Sequence, residues 1–366
     1  MSRPIEGVGT NVAAFVGLAE EGPFGSPTVV EGWGTDEDAL FERLRAPEQG
    51  RALQSFFANG GRTAIAVTVE DAGVEAVRGG LAALDEVEVV NLVVLPAESA
   101  GRDDARAVVA EAAAFCERRR AMLLIDPPPS WTSGERMAAA LAHGAAAAVG
   151  TASPNAALYA PRLRHRDPSQ GAADAPFPPS AAVAGVIART DAAQGVWAAP
   201  AGQESELHGV DLEFELEQDD VRELGALGVN ALRTFPGRRP IVWGARTLAS
   251  GVPEAGEWRY VPVRRTALFL EESIERGLGW AVFEPNDEHL WQEVRDSVGG
   301  FVHELFRLGA FHGHSPSEAC FVRCDRTTMT QREIDAGELV VLVGFAPIRP
   351  AEFVVLRIRP RALPPT

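Results

Sequence analysis

Apolar residues run almost unbroken through "NVAAFVG" (11–17) and "TAIAVTV" (63–69), a pattern that predicts two buried strands. Between them, Leu53, Phe56 and Phe57 recur at helical spacing in "RALQSFFANGG", and Gly60 and Gly61 stop the helix. Upstream of it, Thr35 and Asp38 in "TDEDALFERL" make a start like a capping box, with Asp in the place of Glu. The first 70 residues therefore read as a strand, helix, strand unit.

From Val87 the pattern becomes an alternation of apolar runs and alanine-rich helices. "VEVVNLVVLP" (87–96), "AMLLID" (121–126) and "AAAAVG" (145–150) read as strands; "DDARAVVAEAAAFCERRR" (103–120) and "GERMAAALAHG" (134–144) read as helices. Continuous apolar strands separated by helices of this length imply a parallel sheet covered on both faces. A polar, proline-rich loop, "RLRHRDPSQGAADAPFPPS", then leads to a helix at "AAVAGVIARTD" (181–191).

Strict alternation follows in "VDLEFELEQDD" (210–220). Leu212, Phe214 and Leu216 face one way, and Asp211, Glu213, Glu215 and Glu217 the other, which predicts a strand with an acidic wet face. The last third mixes both periods. "RRTALFLEESIERGLGW" (264–280) is helical, and so is 286–311, with Asn286 as its cap and Leu290, Val294, Val298, Phe301 and Leu305 along one stripe. Strands follow at "ACFVRCD", "ELVVLVGFAP" and "EFVVLRIRP", the last with Val354, Leu356 and Ile358 on one face. The class is thus mixed α/β, with pieces at 1–70, 71–205 and 206–366 and a terminal strand or arm at 350–366.

A formal net charge of −17, from 51 acidic against 34 basic residues, argues against a duplex nucleic-acid binder, which needs a dominating positive face. No window approaches the roughly 20 apolar residues of a membrane span. The N-terminus lacks the basic segment and apolar run of a secretory signal, and three cysteines make no disulfide framework, so cytoplasmic assembly is expected.

Chemistry is sparse. His312, His314, Cys320 and Cys324 lie close together, but their spacing fits no zinc pattern and the cysteines fall in an alternating strand, so a core strand is the better reading. Asp126 closes a strand where α/β enzymes often place a carboxylate. No G-x-S-x-G or comparable nucleophile turn accompanies it, and capping is its expected role. Neither "FANGGRT" nor "GVGTN" reads as a nucleotide loop, so no cofactor is expected.

One feature stands against the acidic background. Arg233, Arg238, Arg239 and Arg246 lie within "GVNALRTFPGRRPIVWGARTL", and Arg259, Arg264 and Arg265 follow shortly after. They are either solvated or internal ion pairs of small individual worth, or planar groups making bidentate contacts to carboxylates of a neighbouring subunit.

The stretches "SRPIEGVGTNVAAFVGLAEEGP", "LQSFFANGGRTAIAV", "PPSAAVAGVIARTDAAQGVWAAPAG", "LGVNALRTFPGRRPIVWGARTL", "WRYVPVRRTALFLEESIERGLGWAVFEPNDEHLW" and "PAEFVVLRI", in this order, resemble the contractile tail sheath proteins of bacteriophages, R-type pyocins and extracellular injection systems. The resemblance implies an inner domain built from N- and C-terminal segments and an inserted middle layer, subtilisin-like in fold only and without catalysis. It also implies stacked hexameric rings around an inner tube protein, held extended until a baseplate trigger lets them contract, with terminator or cap proteins as further partners.

Site expectations follow from that resemblance. Arg238, Arg239, Arg264 and Arg265 are expected to pair with acidic groups of this chain or of a neighbour. Glu288, Gln292, Arg295 and Asp296, opposite the apolar stripe of the long helix, are expected to be available to the tube. Phe353, Val354, Val355, Leu356, Arg357 and Ile358 are expected to form or complete a strand shared between subunits. Family members usually carry an extended segment upstream of the "SRPIEGVGT" match; either one precedes Met1 in the full protein, or the rings are joined by the C-terminal arm alone. An α/β hydrolase-like enzyme and a non-polymerising adaptor or terminal ring are the alternative readings.

Overall fold

The computed structural model describes residues 3–21, 23–32, 47–166, 175–251, 253–348 and 354–365. Thr35, Asp38 and Phe353 lie outside the described residues. The chain divides into two compact units, one of residues 9–264 and one that joins residues 1–8 to 265–366.

The larger unit is built on an eight-stranded sheet. Its strands are β1 (Val12–Leu18), β2 (Thr28–Glu31), β3 (Thr63–Val69), β4 (Leu92–Val94), β5 (Met122–Ile125) and β6 (Ala156–Ala160), then β9 (Val229–Arg233) and β10 (Ile241–Val242), with β7 (Leu163–His165) and β8 (Val210–Leu212) forming a separate antiparallel pair. The sheet order is β10-β9-β6-β5-β4-β1-β3-β2. Pairing is parallel from β9 through β3, and only the two edge strands run antiparallel to their neighbours.

Apolar residues fill both faces of the central strands because alternate side chains point to opposite sides. Ala14, Val16, Ile65, Val67, Val93, Leu123 and Leu158 enter one core with Val77, Leu81, Val108, Ala112 and Phe115 from the helices Val74–Ala83 and Ala105–Arg118. Phe15, Ala66, Leu92, Val94, Leu124 and Tyr159 enter the other, with Leu53 and Phe56 of the Pro47–Ala58 helix and Val183, Val186 and Ile187 of the Ser180–Gln194 helix. Each fully buried Val, Leu, Ile or Phe contributes about 1.5–3 kcal/mol. The expected helix stop is present: Gly60 adopts φ 108°, and Gly61 N–H returns to the Phe56 carbonyl at 3.0 Å.

Three local expectations are corrected. The run 145–149 is a short helix between Gly144 and Gly150, both at positive φ, because alanine favours helix and Val149 is the single β-branched residue in the run. The sheet instead takes the following "AALYA" as β6. The acidic alternation keeps strand geometry only over β8; beyond it Glu217 and Asp220 form a capping box that starts the Gln218–Ala226 helix. The pieces at 1–70 and 206–366 both feed the one sheet, through β1 and β3 before residue 70 and β9 and β10 after 205.

In the smaller unit the helix Glu288–Arg307 buries Leu290, Val294, Val298, Phe301 and Leu305, the whole predicted stripe. Its cap is Asp287, which accepts from the N–H groups of His289 and Leu290, both at 3.0 Å. Asn286 is drawn inward instead: it accepts from Trp291 Nε1 at 2.7 Å and donates to the carbonyls of Ile334 and Glu338. Strands β11 (Cys320–Arg323), β12 (Val341–Phe345) and β13 (Val354–Ile358) form an antiparallel sheet with β12 central. The N-terminal residues belong here through Arg3 N–H to Ser297 Oγ and Val8 N–H to Ser273 Oγ, each 3.1 Å.

Candidate functional site

The arginine region is organised by a β9–β10 hairpin whose loop, 234–240, carries Gly237 at φ 74°. "FPG" between two apolar runs was the signal for this turn, which the strand reading above does not include. Arg238 and Arg239 stand exposed in the loop. Arg239 approaches His208 Nδ1 at 3.4 Å, and no ion pair of either arginine occurs among the described residues.

Arg233, Arg246 and Arg264 meet aromatic rings. Arg233 lies 5.1 Å from the Phe235 ring centre and 5.9 Å from that of Trp243; Arg246 lies 5.3 Å from Tyr260 and Arg264 4.7 Å from Trp258. A guanidinium over a ring face keeps its charge while covering apolar surface, at about 0.5–1 kcal/mol where exposed. Arg264 also donates Nε–H to Asn155 Oδ1 at 2.7 Å. Arg265 is 4% exposed. Of the four expected contact arginines, the structure leaves the pair in the hairpin loop at the surface and builds the other two into the fold.

The acidic stretch is likewise divided among local tasks. Asp211 pairs with Arg166 at 2.7 Å, Glu215 accepts the Thr234 N–H at 3.4 Å, and Glu217 serves the capping box. Glu213 is half-buried, and its N–H bonds the Arg162 carbonyl.

On the long helix Glu288, Gln292 and Asp296 are exposed. Gln292 donates to Asp296 at 2.8 Å and accepts from Arg295 at 2.5 Å, while Glu288 meets Arg326 at 3.2 Å. Arg295 also donates to the Cys324 carbonyl, which ties it to the end of β11.

The terminal strand alternates cleanly. Val354, Leu356 and Ile358 are buried, Val355 is 49% exposed, and Arg357 reaches Glu333 at 3.2 Å. β13 pairs with β12 along one edge and is the outer strand of the sheet. After it the chain stays bonded to its own unit, through Ala362 N–H to the Gly337 carbonyl and Leu363 N–H to the Glu284 carbonyl.

Asp126 caps a helix. Its carboxylate accepts the Ser180 N–H at 2.8 Å and the Ser180 hydroxyl at 2.7 Å, satisfying an orphan donor at the start of Ser180–Gln194. Burial pushes its pKa up to about 6 despite these bonds. His165, stacked on Phe177 with ring centres 4.4 Å apart, is held below the ordinary histidine value by burial. The serine hydroxyl meets the carboxylate directly, whereas nucleophile activation places an imidazole between them. Cys320 and Cys324 are buried in the core, and burial pushes the Cys324 thiol up to about 12.

Known proteins share this architecture. The family profile described as phage tail sheath protein central domain matches residues 66–248, and that of the phage tail sheath C-terminal domain matches residues 255–361. The tail sheath protein of Enterobacteria phage T4 is 26% identical over 181 residues, 49% of this chain; the match spans about a quarter of that relative, 26% of its length. A chain in the cryo-EM structure of the anti-feeding prophage (AFP) baseplate superposes with a TM-score of 0.77 at 30% identity, covering 97% of this chain and 94% of that one. A chain of the extracellular contractile injection system PVC sheath complex in the contracted state gives 0.75 at 28% identity, covering 97% and 93%. This chain belongs to the phage tail sheath family.

Proposed function

We propose that the chain is a structural subunit of a contractile sheath, polymerising as stacked hexameric rings around an inner tube and docking on a baseplate. The observation that carries this reading is the near-complete coverage, at 30% identity, of proteins from the AFP baseplate and from the AFP helical sheath in the contracted state. Driving force would come from a rigid-body shift between two packings of one helical lattice, with no catalytic step.

Two surfaces fit the requirement for subunit contacts. The loop carrying Arg238 and Arg239 offers unpaired positive charge in an acidic chain, and charge complementarity sets register and partner choice. β13 is an outer strand with Val355 turned outward, so a strand from another subunit can extend its sheet. The exposed line of Glu288, Gln292 and Asp296 is the proposed tube-facing surface.

The test is sedimentation and negative-stain microscopy of the purified chain with its inner tube protein. Cylinders or stacked rings are expected. Discrete single rings that bind baseplate components and never elongate would instead support the adaptor reading.

A further inference from the structure

A cleft opens in the larger unit at the carboxyl ends of β1, β4 and β5. The sheet order changes direction here, since β1 leads to β3 on one side and β3 leads back to β4 on the other. Open α/β sheets bind ligands in this crevice. Its walls are apolar, with Phe15, Leu18, Val94, Pro96 and Phe177, and its polar lining comes from Glu48, Gln49, Arg51, Ser55, Glu98, Asp126, His165 and Ser180.

Most of those polar groups are already committed. Asp126 holds Ser180, and Glu48 sits in the first turn of its helix paired with Arg51. His165 stacks on Phe177. Two atoms remain: Gln49 Oε1 and Glu98 Oε2 are enclosed and have no partner among the described residues.

The Gln49 amide cannot be turned over to solve this. Only 3% exposed, it donates Nε2–H to the carbonyls of Phe15 at 2.8 Å and Val67 at 3.1 Å, so its oxygen end faces away from both. Gly17 makes room for it, because a Cβ there would lie 2.5 Å from Gln49 Cβ. Burial, and then the nearby Glu48 carboxylate, push the Glu98 pKa upward, as happens to a carboxyl lacking a countercharge.

Both unclaimed atoms are acceptors, so an occupant must bring donors. No group of three or more His, Cys, Asp or Glu side chains that could hold a metal ion occurs among the described residues. An ammonium brings three donors and the missing positive charge. We propose that this cleft binds a small amphipathic cation, a primary ammonium on an apolar body, with Glu98 and Gln49 receiving the head group.

The experiment titrates the full chain with n-hexylammonium, 1-hexanol and hexanoate by calorimetry at one pH and salt concentration. Hexylammonium is expected to bind saturably and about tenfold more tightly than hexanol, a difference of about 1.4 kcal/mol, with no hexanoate binding. In Glu98→Gln the preference for ammonium over hexanol should collapse while hexanol affinity holds. Equal affinity for ammonium and alcohol, no saturable ammonium binding, or an unchanged preference in a folded Glu98→Gln chain would each overturn the proposal. The three-probe comparison uses the unaltered chain, so misfolding of the variant leaves the test standing.

Discussion

Ser180 gives both its backbone N–H and its hydroxyl to the carboxylate of Asp126, a residue 54 positions earlier in the chain. The bond joins the end of β5 to the start of the Ser180–Gln194 helix. A carboxylate at a helix N-terminus is favoured by the macrodipole, yet burial here outweighs that gain and raises the pKa from 3.8 to about 6.

The pH dependence follows in sign. Between those two values the folded chain binds more protons at Asp126 than the unfolded chain does, so this contribution is fully present below 3.8 and lost as pH rises through 6. Asp126→Asn keeps an oxygen for Ser180 and removes the titration. Thermal midpoints of the two chains from pH 4 to 7 should show a wild-type component falling with pH that the variant lacks; parallel curves would contradict the assignment.

Asn155 joins three separated positions of the larger unit. It is fully buried, donates to the carbonyls of Cys116 at 3.1 Å and Ala121 at 2.9 Å, and accepts from Arg264. Asn155→Ala removes these three hydrogen bonds from a buried site, at about 0.5–1.5 kcal/mol each. A fall in the urea midpoint of that order is expected, and a change below 0.5 kcal/mol, about the size of an ordinary surface substitution, would refute it.

Gly17→Ala places a methyl against the Gln49 side chain, whose Cβ, Cγ and Cδ lie at 2.5–2.6 Å from the added atom. Overpacking of this kind costs about 1–3 kcal/mol. Urea unfolding should show the loss, and Gln49→Ala in the same chain should recover part of it by vacating the space.

Arg238→Glu with Arg239→Glu changes two exposed side chains in a loop. Circular dichroism and thermal midpoint should hold, while sheath assembly weakens, more at low than at high salt, as the interaction is screened over about 10 Å at 0.1 M. Assembly equal to wild type across salt concentrations would remove this loop from the interface.

Truncation before β13 and substitution on its outward face separate two roles. Losing Val354, Leu356 and Ile358 strips buried side chains from the smaller unit, so the truncated chain should aggregate or unfold. Val355→Glu and Arg357→Glu leave those core positions intact and should yield a folded monomer that polymerises poorly. Normal sheaths from the double variant would exclude β13 as the shared strand.

Local pattern alone settled much of this protein. The helical stripe from Leu290 to Leu305, the alternation of Val354, Leu356 and Ile358, the glycine stop after Phe57 and the buried runs at β1 and β3 are written in periods of 3.6 and 2, which any stretch of chain carries by itself. Where two local solutions compete, the chain was ambiguous. The run 145–149 and the stretch after Leu212 lie between strand and helix until glycine geometry and the Glu217 capping box decide. The site depended on the tertiary structure altogether. Nothing near Arg264 in sequence announces Asn155, 109 positions earlier, and nothing near Arg246 marks Tyr260 as its ring rather than a partner's carboxylate. Those contacts, the joining of β9 to β6, and the binding of Arg3 to Ser297 across 294 positions arise from the closing of long loops, whose entropy is repaid only by the completed sheet and core.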